Sequence, residues 1–387
     1  MARIGALRVC AVNVTPKTNW VFVELASDDG FVGVGEASLN GWEPLLLAYA
    51  AKLARSLAGA DDVALAAATR YLPHSPGGLV AHAVRSALEQ AWVDNAARRA
   101  GVAVSQFLGG ARRDRVPVYA NINRATTDRS PQGFAASARR AVAHGFRAVK
   151  IASFDGVIAE DRATTPYAAR VAAGIERVLA VRDAIGADVG LMVDCHWRFD
   201  EATAVEVIHA LAPADLYWLE CPVSEHASQL DTIARLRGLA NHHGMRLAGA
   251  ETVTGLDAIE PLLQRGCYDV MMPDIKYCGG YRAMLAIAAT LSRHGVGFAP
   301  HNPSGPVCNL ASLHACAVAV DCLTVEYQLA ESPLYTALVG GVEPMLEGGA
   351  FVVPNSPGMG ATLDADVVAA HPWRELPANA NLDERLG

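Results

Sequence analysis

The chain has 387 residues, of which 52% are hydrophobic, so it is long and apolar enough to bury a large core, and its length suggests two domains. Its 40 acidic residues outnumber its 32 basic ones and no run of lysine or arginine occurs, which argues against nucleic acid as a partner. The start lacks the long apolar segment of a signal peptide, and no uncharged apolar stretch of about 18 residues occurs. We therefore expect a cytoplasmic protein with no membrane partner.

The first hundred residues predict an α+β unit. Alternating apolar positions favour strands near 8–14, 20–25 and 31–35, with Asp28-Asp29-Gly30 as the turn of a hairpin. From Pro44 the pattern changes to alanine-rich helix, and residues 81–99 carry apolar side chains at helical spacing. We assign residues 1–115 to an N-terminal α+β capping domain.

Short β runs alternate with helical segments after Gly110, which is typical of βα units around a parallel sheet. The runs end on the polar residues Asn121, Lys150, Asp194, Glu220, Glu251, Asp274, His301 and Glu326. From the third run onward the ends recur about every 23 to 31 residues, close to the roughly 30 residues per unit of a TIM barrel. A doubly wound sheet would be expected to carry a glycine-rich phosphate turn, and no GxGxxG or Walker pattern occurs. We predict an α/β barrel over 116–330 and a C-terminal segment, 331–387, that returns to the cap.

Three acids, Asp194, Glu220 and Glu251, end successive runs at one edge of the predicted barrel. Carboxylates brought together raise one another's pKa unless a cation lies between them. A hard cation such as Mg²⁺ takes carboxylate ligands and keeps positions for substrate and water, so we predict a Mg²⁺ site here. The alternative for each acid alone is a helix cap or an ion pair with an arginine.

Two histidines follow or end these runs. Asp274 and His301 end neighbouring runs, where a carboxylate can hydrogen-bond to the imidazole, fix its tautomer and make it a general base. His196 lies two residues after Asp194, so strand alternation would point both side chains to the same side. From there His196 can reach the substrate or, alternatively, form a hydrogen bond that orients a metal ligand.

Two further strand-end residues carry charge. Lys150 is suited to a substrate carboxylate or an enolate oxygen, and the alternative is a salt bridge to a neighbouring acid. Glu326 can donate a hydrogen bond to the enolate if it is kept protonated. Both are therefore candidate catalytic residues.

The ordered set of motifs resembles the enolase superfamily, mandelate racemase subgroup. The set comprises the three acids, the PDxxxxGG of 273–280, the HNPSGPV that begins at His301, and Glu326. Residues 81–110 look like the helix that joins cap and barrel in that family. The DCH of 194–196 and the HNPSGPV are most similar to acid-sugar dehydratases such as galactonate dehydratase. The resemblance implies a modified TIM barrel, (β/α)₇β, under an N-terminal α+β cap that the C-terminal tail completes.

The same resemblance implies a Mg²⁺-dependent reaction on a sugar acid, an aldonate or aldarate. The His301–Asp274 dyad would remove the proton α to the carboxylate, and Mg²⁺ with Lys150 would stabilise the enediolate. His196 would then help the β-hydroxyl leave, giving a 2-keto-3-deoxy acid. Family members carry Lys-x-Lys on the second strand, whereas this chain has Ala152 in place of the second lysine, which disfavours racemisation by two bases.

Three hypotheses follow: a sugar-acid dehydratase, an epimerase, racemase or lactone cycloisomerase of the same superfamily, and a ligand-binding homologue without activity. Each takes a small-molecule carboxylate as its partner. For substrate contacts we expect Asn121 and, from cap segments 15–20 and 39–42, Trp20 and Trp42. Because family members usually form homo-oligomers, we expect one here too.

Overall fold

The computed structural model describes residues 3–69 and 78–376. The parts of the predicted domains that fall on 1–2, 70–77 and 377–387 lie outside the described residues. Within the described ranges, no helix combines the length and the apolar character needed to cross a bilayer.

The N-terminal part is a small sheet covered by helices. Its antiparallel strands are β1 (Ile4–Thr15), β2 (Thr18–Ser27) and β3 (Val32–Glu36), in that order. Its helices are α1 (Glu43–Leu57), α2 (Asp62–Thr69), α3 (Gly78–Arg99) and the short α4 (Val104–Phe107). At Gly33 a Cβ atom would lie 2.0 Å from the carbonyl oxygen of Ala91, so only glycine lets β3 pack this closely on α3.

Eight parallel strands form the barrel. They are β4 (Arg115–Asn121), β5 (Ala148–Ile151), β6 (Gly190–Asp194), β7 (Trp218–Glu220), β8 (Arg246–Gly249), β9 (Val270–Met271), β10 (Gly297–Phe298) and β11 (Val325–Gln328). Neighbours pair in chain order from β4 to β10, and β11 pairs with β4. The amide of Leu323 donates to the carbonyl of Phe298 at 2.9 Å, which closes the ring between the last two strands.

Seven helices surround the barrel, one after each strand except the last. They are α5 (Pro131–Ala143), α6 (Thr165–Ile185), α7 (Glu201–Leu211), α8 (Leu230–His242), α9 (Leu256–Arg265), α10 (Gly280–Arg293) and α11 (Pro306–Val318). A continuous apolar core lies between the helices and the strands, and a smaller cluster that includes Tyr119, Met192 and Trp218 fills the barrel interior. The predicted (β/α)₇β barrel with an α+β cap is confirmed.

The segment after the barrel contains α12 (Leu334–Ala337), β12 (Leu346–Glu347), β13 (Ala350–Val352) and α13 (Ala365–Ala370). Strand β13 pairs antiparallel with the start of β4. Further on, the amide of Asn13 in β1 donates to the carbonyl of His371 at 3.0 Å. This segment therefore contacts both barrel and cap, and the exact domain boundaries at 115 and 330 stay a prediction.

One cap residue reaches the barrel mouth. Glu36, at the end of β3, is fully buried and accepts hydrogen bonds from the amides of Gly305 (2.7 Å) and Cys308 (2.9 Å). These amides flank the first turn of α11, whose orphan N–H groups favour a negative charge. The cap thus holds in place the loop that carries His301.

Candidate active site

Three buried carboxylates meet at the barrel mouth. Asp194 and Glu220 end β6 and β7, and Glu251 follows β8 by two residues. One ligand oxygen from each lies within 4.8 Å of the others, and their exposed fractions are 4%, 0% and 6%. Burial raises the pKa of Glu220 to about 7, and burial with the neighbouring acids holds the pKa of Glu251 well above its usual range.

The three acids fit a hard divalent cation. Their donor atoms are all carboxylate oxygens, which Mg²⁺ and similar ions prefer. Glu251 Oε2 is buried and has no hydrogen-bond partner among the described residues, so it is an acceptor aimed into the cluster with nothing to satisfy it. A cation between the acids would supply that partner and offset the repulsion that contributes to the raised pKa values of Glu220 and Glu251.

Lys150 lies against the acid cluster on the neighbouring strand β5. Its Nζ atom is 2.7 Å from Glu220 Oε1, 2.9 Å from Glu326 Oε1 and 4.0 Å from Asp194 Oδ2. Burial alone would lower the pKa of Lys150, but the surrounding carboxylates hold it well above its usual value. Of the two readings of Lys150, the structure shows the salt bridge to neighbouring acids.

His301 and Asp274 form the predicted pair. His301 Nδ1 lies 2.9 Å from Asp274 Oδ2, which leaves Nε2 directed at the acid cluster, 3.6 Å from Glu251 Oε2. Burial alone would raise the pKa of Asp274, but the charge of Lys276 and the hydrogen bonds from His301 and Lys276 together lower it. The ionised Asp274 can thus fix the imidazole tautomer with Nε2 free to accept a proton.

The sequence predicts that Asp274 and His301 end their strands. In the structure, each lies three residues beyond the end of its strand, β9 for Asp274 and β10 for His301. Glu251 likewise stands past β8, because Ala250 adopts a left-handed backbone conformation with φ 71°. The strands pair over only two to four residues at this edge, so the chain has already left the sheet where the functional side chains occur.

The alternation of β6 does not extend to His196, although the His196 and Asp194 side chains do lie together as expected. The strand ends at Asp194, and His196 has φ 47°, a left-handed conformation that turns its side chain back. Its Nε2 lies 2.8 Å from Asp194 Oδ2, which is the contact of a residue that orients a metal ligand. Burial lowers the pKa of His196, but the adjacent Asp194 carboxylate more than offsets this, so its pKa is raised.

Glu326 could donate a hydrogen bond to the enolate only if it is protonated, and its surroundings favour the ionised form. Burial favours the neutral form of Glu326, but the Lys150 ammonium and the hydrogen bond from the Asn302 amide are among the groups that together lower its pKa. The carboxylate accepts hydrogen bonds from the Asn302 amide (2.8 Å) and from Asn121 Nδ2 (2.7 Å). Asn121 also accepts from the Asn123 amide, so its side chain is engaged within the protein and its role in substrate binding stays a prediction.

The two cap tryptophans lie in different surroundings. Trp20 is only 1% exposed and packs edge to face on Tyr335 with ring centroids 5.7 Å apart, so the expectation of direct substrate contact is not met in this arrangement. Its ring belongs to the core between cap and barrel. Trp42 is 45% exposed beside the start of α1, and its contact with substrate stays a prediction.

A polar cleft that is partly open to solvent lies beside the acid cluster. Its lining comprises Asn123, Ala152, Phe154, Asp155, Asp194, His196 and Arg198. Ala152, two residues after Lys150, is therefore one wall of the space in front of His196. The small side chain leaves room where a longer one would project.

Sequence reasoning missed Lys276. This side chain is 1% exposed and its Nζ atom lies 2.8 Å from Asp274 Oδ2, the oxygen that also faces His301. It also contacts the hydroxyl of Ser304. A lysine two residues after an aspartate in an otherwise apolar run was the available signal, since such a charge is buried only when it is paired.

Two family models match the chain. The N-terminal domain of the mandelate racemase and muconate lactonizing enzymes matches residues 7–109, and the enolase C-terminal domain-like family matches residues 133–367, more than half of the chain. The chain belongs to the enolase superfamily. Its cap and barrel correspond to these two domains.

Characterised relatives resemble the chain over most of its length. It is 28% identical to D-xylonate dehydratase of Haloferax volcanii, with 91% of this chain and 85% of the relative covered. It is 28% identical to D-galactonate dehydratase of Ralstonia pickettii, with 90% of each chain covered. Among solved structures, a candidate L-alanine-DL-glutamate epimerase of Burkholderia xenovorans bound to magnesium and fumarate is 24% identical, with a TM-score of 0.83 over 97% of both chains. At that identity the last similarity concerns the fold alone.

Proposed function

We propose that the protein is a Mg²⁺-dependent dehydratase of a sugar acid, an aldonate or aldarate. The observation that carries the proposal is that His301 Nε2 and His196 both border the Asp194, Glu220 and Glu251 cluster. A base and an acid are thus available beside a site for the substrate carboxylate. The relatives named as dehydratases of xylonate and galactonate support the same reaction.

His301 would take the proton from the carbon α to the carboxylate on Nε2, while Asp274 holds Nδ1. The electron pair of that C–H bond forms a carbon–carbon double bond as the hydroxyl on the β-carbon leaves. His196 would give the leaving hydroxyl a proton, so that water departs. The resulting enol takes up a proton at the β-carbon and releases the proton of its hydroxyl group, which gives the 2-keto-3-deoxy acid.

Asp194, Glu220 and Glu251 would hold the Mg²⁺ ion, which when bound stabilises negative charge on the carboxylate oxygens of the substrate. Lys150 adds a second positive charge at the same edge. The all-oxygen donor set favours Mg²⁺ over metals that prefer nitrogen or sulfur ligands. The cleft bounded by Ala152 and Arg198 offers polar surface to the distal hydroxyls of the substrate.

The test is to incubate the purified protein with a panel of aldonates and aldarates and to assay for 2-keto-3-deoxy acids. We expect at least one substrate to be turned over with Mg²⁺, and EDTA to abolish the reaction. A broad panel without any product would contradict the proposal.

NMR in D₂O distinguishes the proposed dehydratase from an epimerase of the same superfamily. An epimerase would place deuterium at Cα without loss of water, whereas a dehydratase yields the keto acid. Ala152 argues against the epimerase because the second strand lacks the second lysine. Inversion without water loss would overturn the dehydratase.

A further inference from the structure

The loops that carry the site residues hold unfavourable backbone conformations. Four non-glycine residues after β6, β7 and β8 have positive φ: His196 (47°), Trp197 (55°), Cys221 (44°) and Ala250 (71°). Such residues persist only where surrounding contacts compensate. Ala250 directly precedes Glu251, and Trp197 directly follows His196. Contacts that hold Ala250 and Trp197 therefore also set the positions of Glu251 and His196.

Glu225, in the loop after β7, contacts both Ala250 and Trp197. Its Oε1 atom accepts a hydrogen bond from the Ala250 amide at 2.7 Å and from the Tyr268 hydroxyl at 2.6 Å. Its carboxylate also accepts from the Trp197 side chain. One carboxylate therefore joins the turn after β6 to the turn after β8, on two sides of the acid cluster.

The chain keeps space for this contact. A Cβ atom at Gly249 would lie 2.6 Å from Glu225 Oε1 and 2.4 Å from the Tyr268 ring, too close for any side chain. Since the φ of Gly249 does not itself demand glycine, the requirement comes from the neighbouring carboxylate and phenol. Glycine at this position is thus what allows Glu225 to reach the Ala250 amide.

We propose that Glu225 is a positioning residue that holds Glu251 for cation binding and the His196–Trp197 turn for proton donation. This inference rests on the proposed function, because it assigns Glu225 a task in that same site. Groups that orient metal ligands through hydrogen bonds typically change metal affinity or activity by about 10- to 100-fold when they are removed.

The test compares two substitutions of Glu225 in the full-length protein. Glu225→Ala removes every contact, so we expect Mg²⁺ affinity, measured by calorimetry on the metal-free protein, to fall about 10-fold or more. At saturating Mg²⁺, kcat should also fall about 10-fold while KM for the sugar acid changes little.

Glu225→Gln separates the two tasks. A glutamine has one acceptor oxygen, and the Ala250 amide and the Tyr268 hydroxyl together fill it. We therefore expect this variant to recover Mg²⁺ affinity but not kcat, because its amide nitrogen cannot accept a hydrogen bond from Trp197.

Asp269→Asn is the matched control. Asp269 accepts a hydrogen bond from the Leu247 amide at 2.8 Å, so it also holds β8, but at the end of the strand away from the acids. We expect it to lower stability and to leave Mg²⁺ affinity and kcat unchanged. Gly249→Ala, which displaces Glu225 without altering it, should reproduce the loss in Glu225→Ala.

If Glu225→Ala matches the wild type in Mg²⁺ affinity and kcat, or if Asp269→Asn loses as much, the inference is overturned and the proposed function stands. If the wild type itself neither binds Mg²⁺ nor turns over any sugar acid, the proposed function is overturned. The wild-type titration therefore distinguishes the two failures.

Discussion

Lys276 Nζ lies 2.8 Å from Asp274 Oδ2, and both side chains are buried at the base of the site. The same oxygen lies 2.9 Å from His301 Nδ1, so Asp274 is held between an ammonium and the imidazole of the proposed base. Burial alone would lower the pKa of Lys276. Asp274 is the largest of the influences that oppose this effect, and the net result is a raised pKa, which favours the charged lysine. Lys276 therefore belongs with the His301–Asp274 pair, and its positive charge balances the negative charge of Asp274.

Replacing Lys276 with methionine should leave Asp274 as a buried carboxylate with only the imidazole beside it. Removing one partner of a buried ion pair typically costs about 3–5 kcal/mol, so we expect a decrease of this order in the free energy of unfolding. Urea-induced unfolding checks the value. The exposed pair of Arg265 and Asp231 is the control, and Arg265→Met should change stability little. Equal losses in both variants would contradict the structural importance of Lys276.

Replacing His301 with asparagine removes the proposed base while keeping a side chain of similar size. We expect kcat to fall at least about 100-fold, the lower end of what general base catalysis contributes. Deuterium incorporation at the β-carbon of the product, followed by NMR in D₂O, should be lost as well, whereas Mg²⁺ binding should persist because His301 is not among the acids. Unaltered activity in this variant would contradict the assignment of His301 as the base.

The barrel was predictable because its signal repeats. Each βα unit combines a short apolar strand with a polar residue where the chain leaves the core, and the even spacing of Asp194, Glu220 and Glu251 marks the units. The structure brings these three acids together at the barrel mouth. Carboxylates at the ends of adjacent parallel strands must converge, so their proximity follows from the topology alone.

The properties that the sequence did not reveal depend on contacts distant in sequence. The pKa of Glu326 is lowered despite burial, in part because Lys150, from the other side of the barrel closure, lies 2.9 Å away. His196 turns back on Asp194 because the backbone becomes left-handed after the strand, and DCH carries no glycine or asparagine to announce it. Trp20 is in the core because cap and barrel close over it. Strand periodicity holds no information about any of these contacts.

Replacing Glu251 with glutamine should have opposite effects on the metal-free and metal-bound protein. Without a cation, burial and the neighbouring acids disfavour the ionised form of Glu251, so a neutral amide at this position should raise the melting temperature in EDTA. In the wild type, Mg²⁺ at 100 times its Kd should add about 2.7 kcal/mol of stability, and this gain should vanish in the variant. Differential scanning calorimetry measures both effects.

Asp155→Asn provides the comparison for Glu251→Gln. Asp155 lines the same cleft but lies outside the acid cluster, and it pairs with Arg129. This variant should keep the Mg²⁺ gain. A Glu251→Gln protein that is less stable than the wild type in EDTA would show that the acids do not repel one another as the geometry indicates.

His314, on α11, makes stability depend on pH. It is fully buried, its Nδ1 accepts from the Ser105 amide at 3.3 Å, and its Nε2 lies 3.2 Å from the Met359 carbonyl. A second proton on the imidazole would occupy Nδ1, so that two N–H donors, those of His314 and Ser105, would face each other. Burial is the main reason that the pKa of His314 is lowered to about 4, from 6.5 in the unfolded chain.

The unfolded state therefore binds the proton first as pH falls, so the contribution of His314 is complete above its unfolded pKa of 6.5 and is lost progressively down to about 4. Between about pH 7 and pH 5 the loss should be about 2 kcal/mol. We expect His314→Gln to remove this part of the pH dependence. Urea titrations of both proteins at the two pH values measure the difference, with the exposed His144→Gln as the control. Equal slopes in wild type and His314→Gln would mean that His314 is protonated without cost in the folded state.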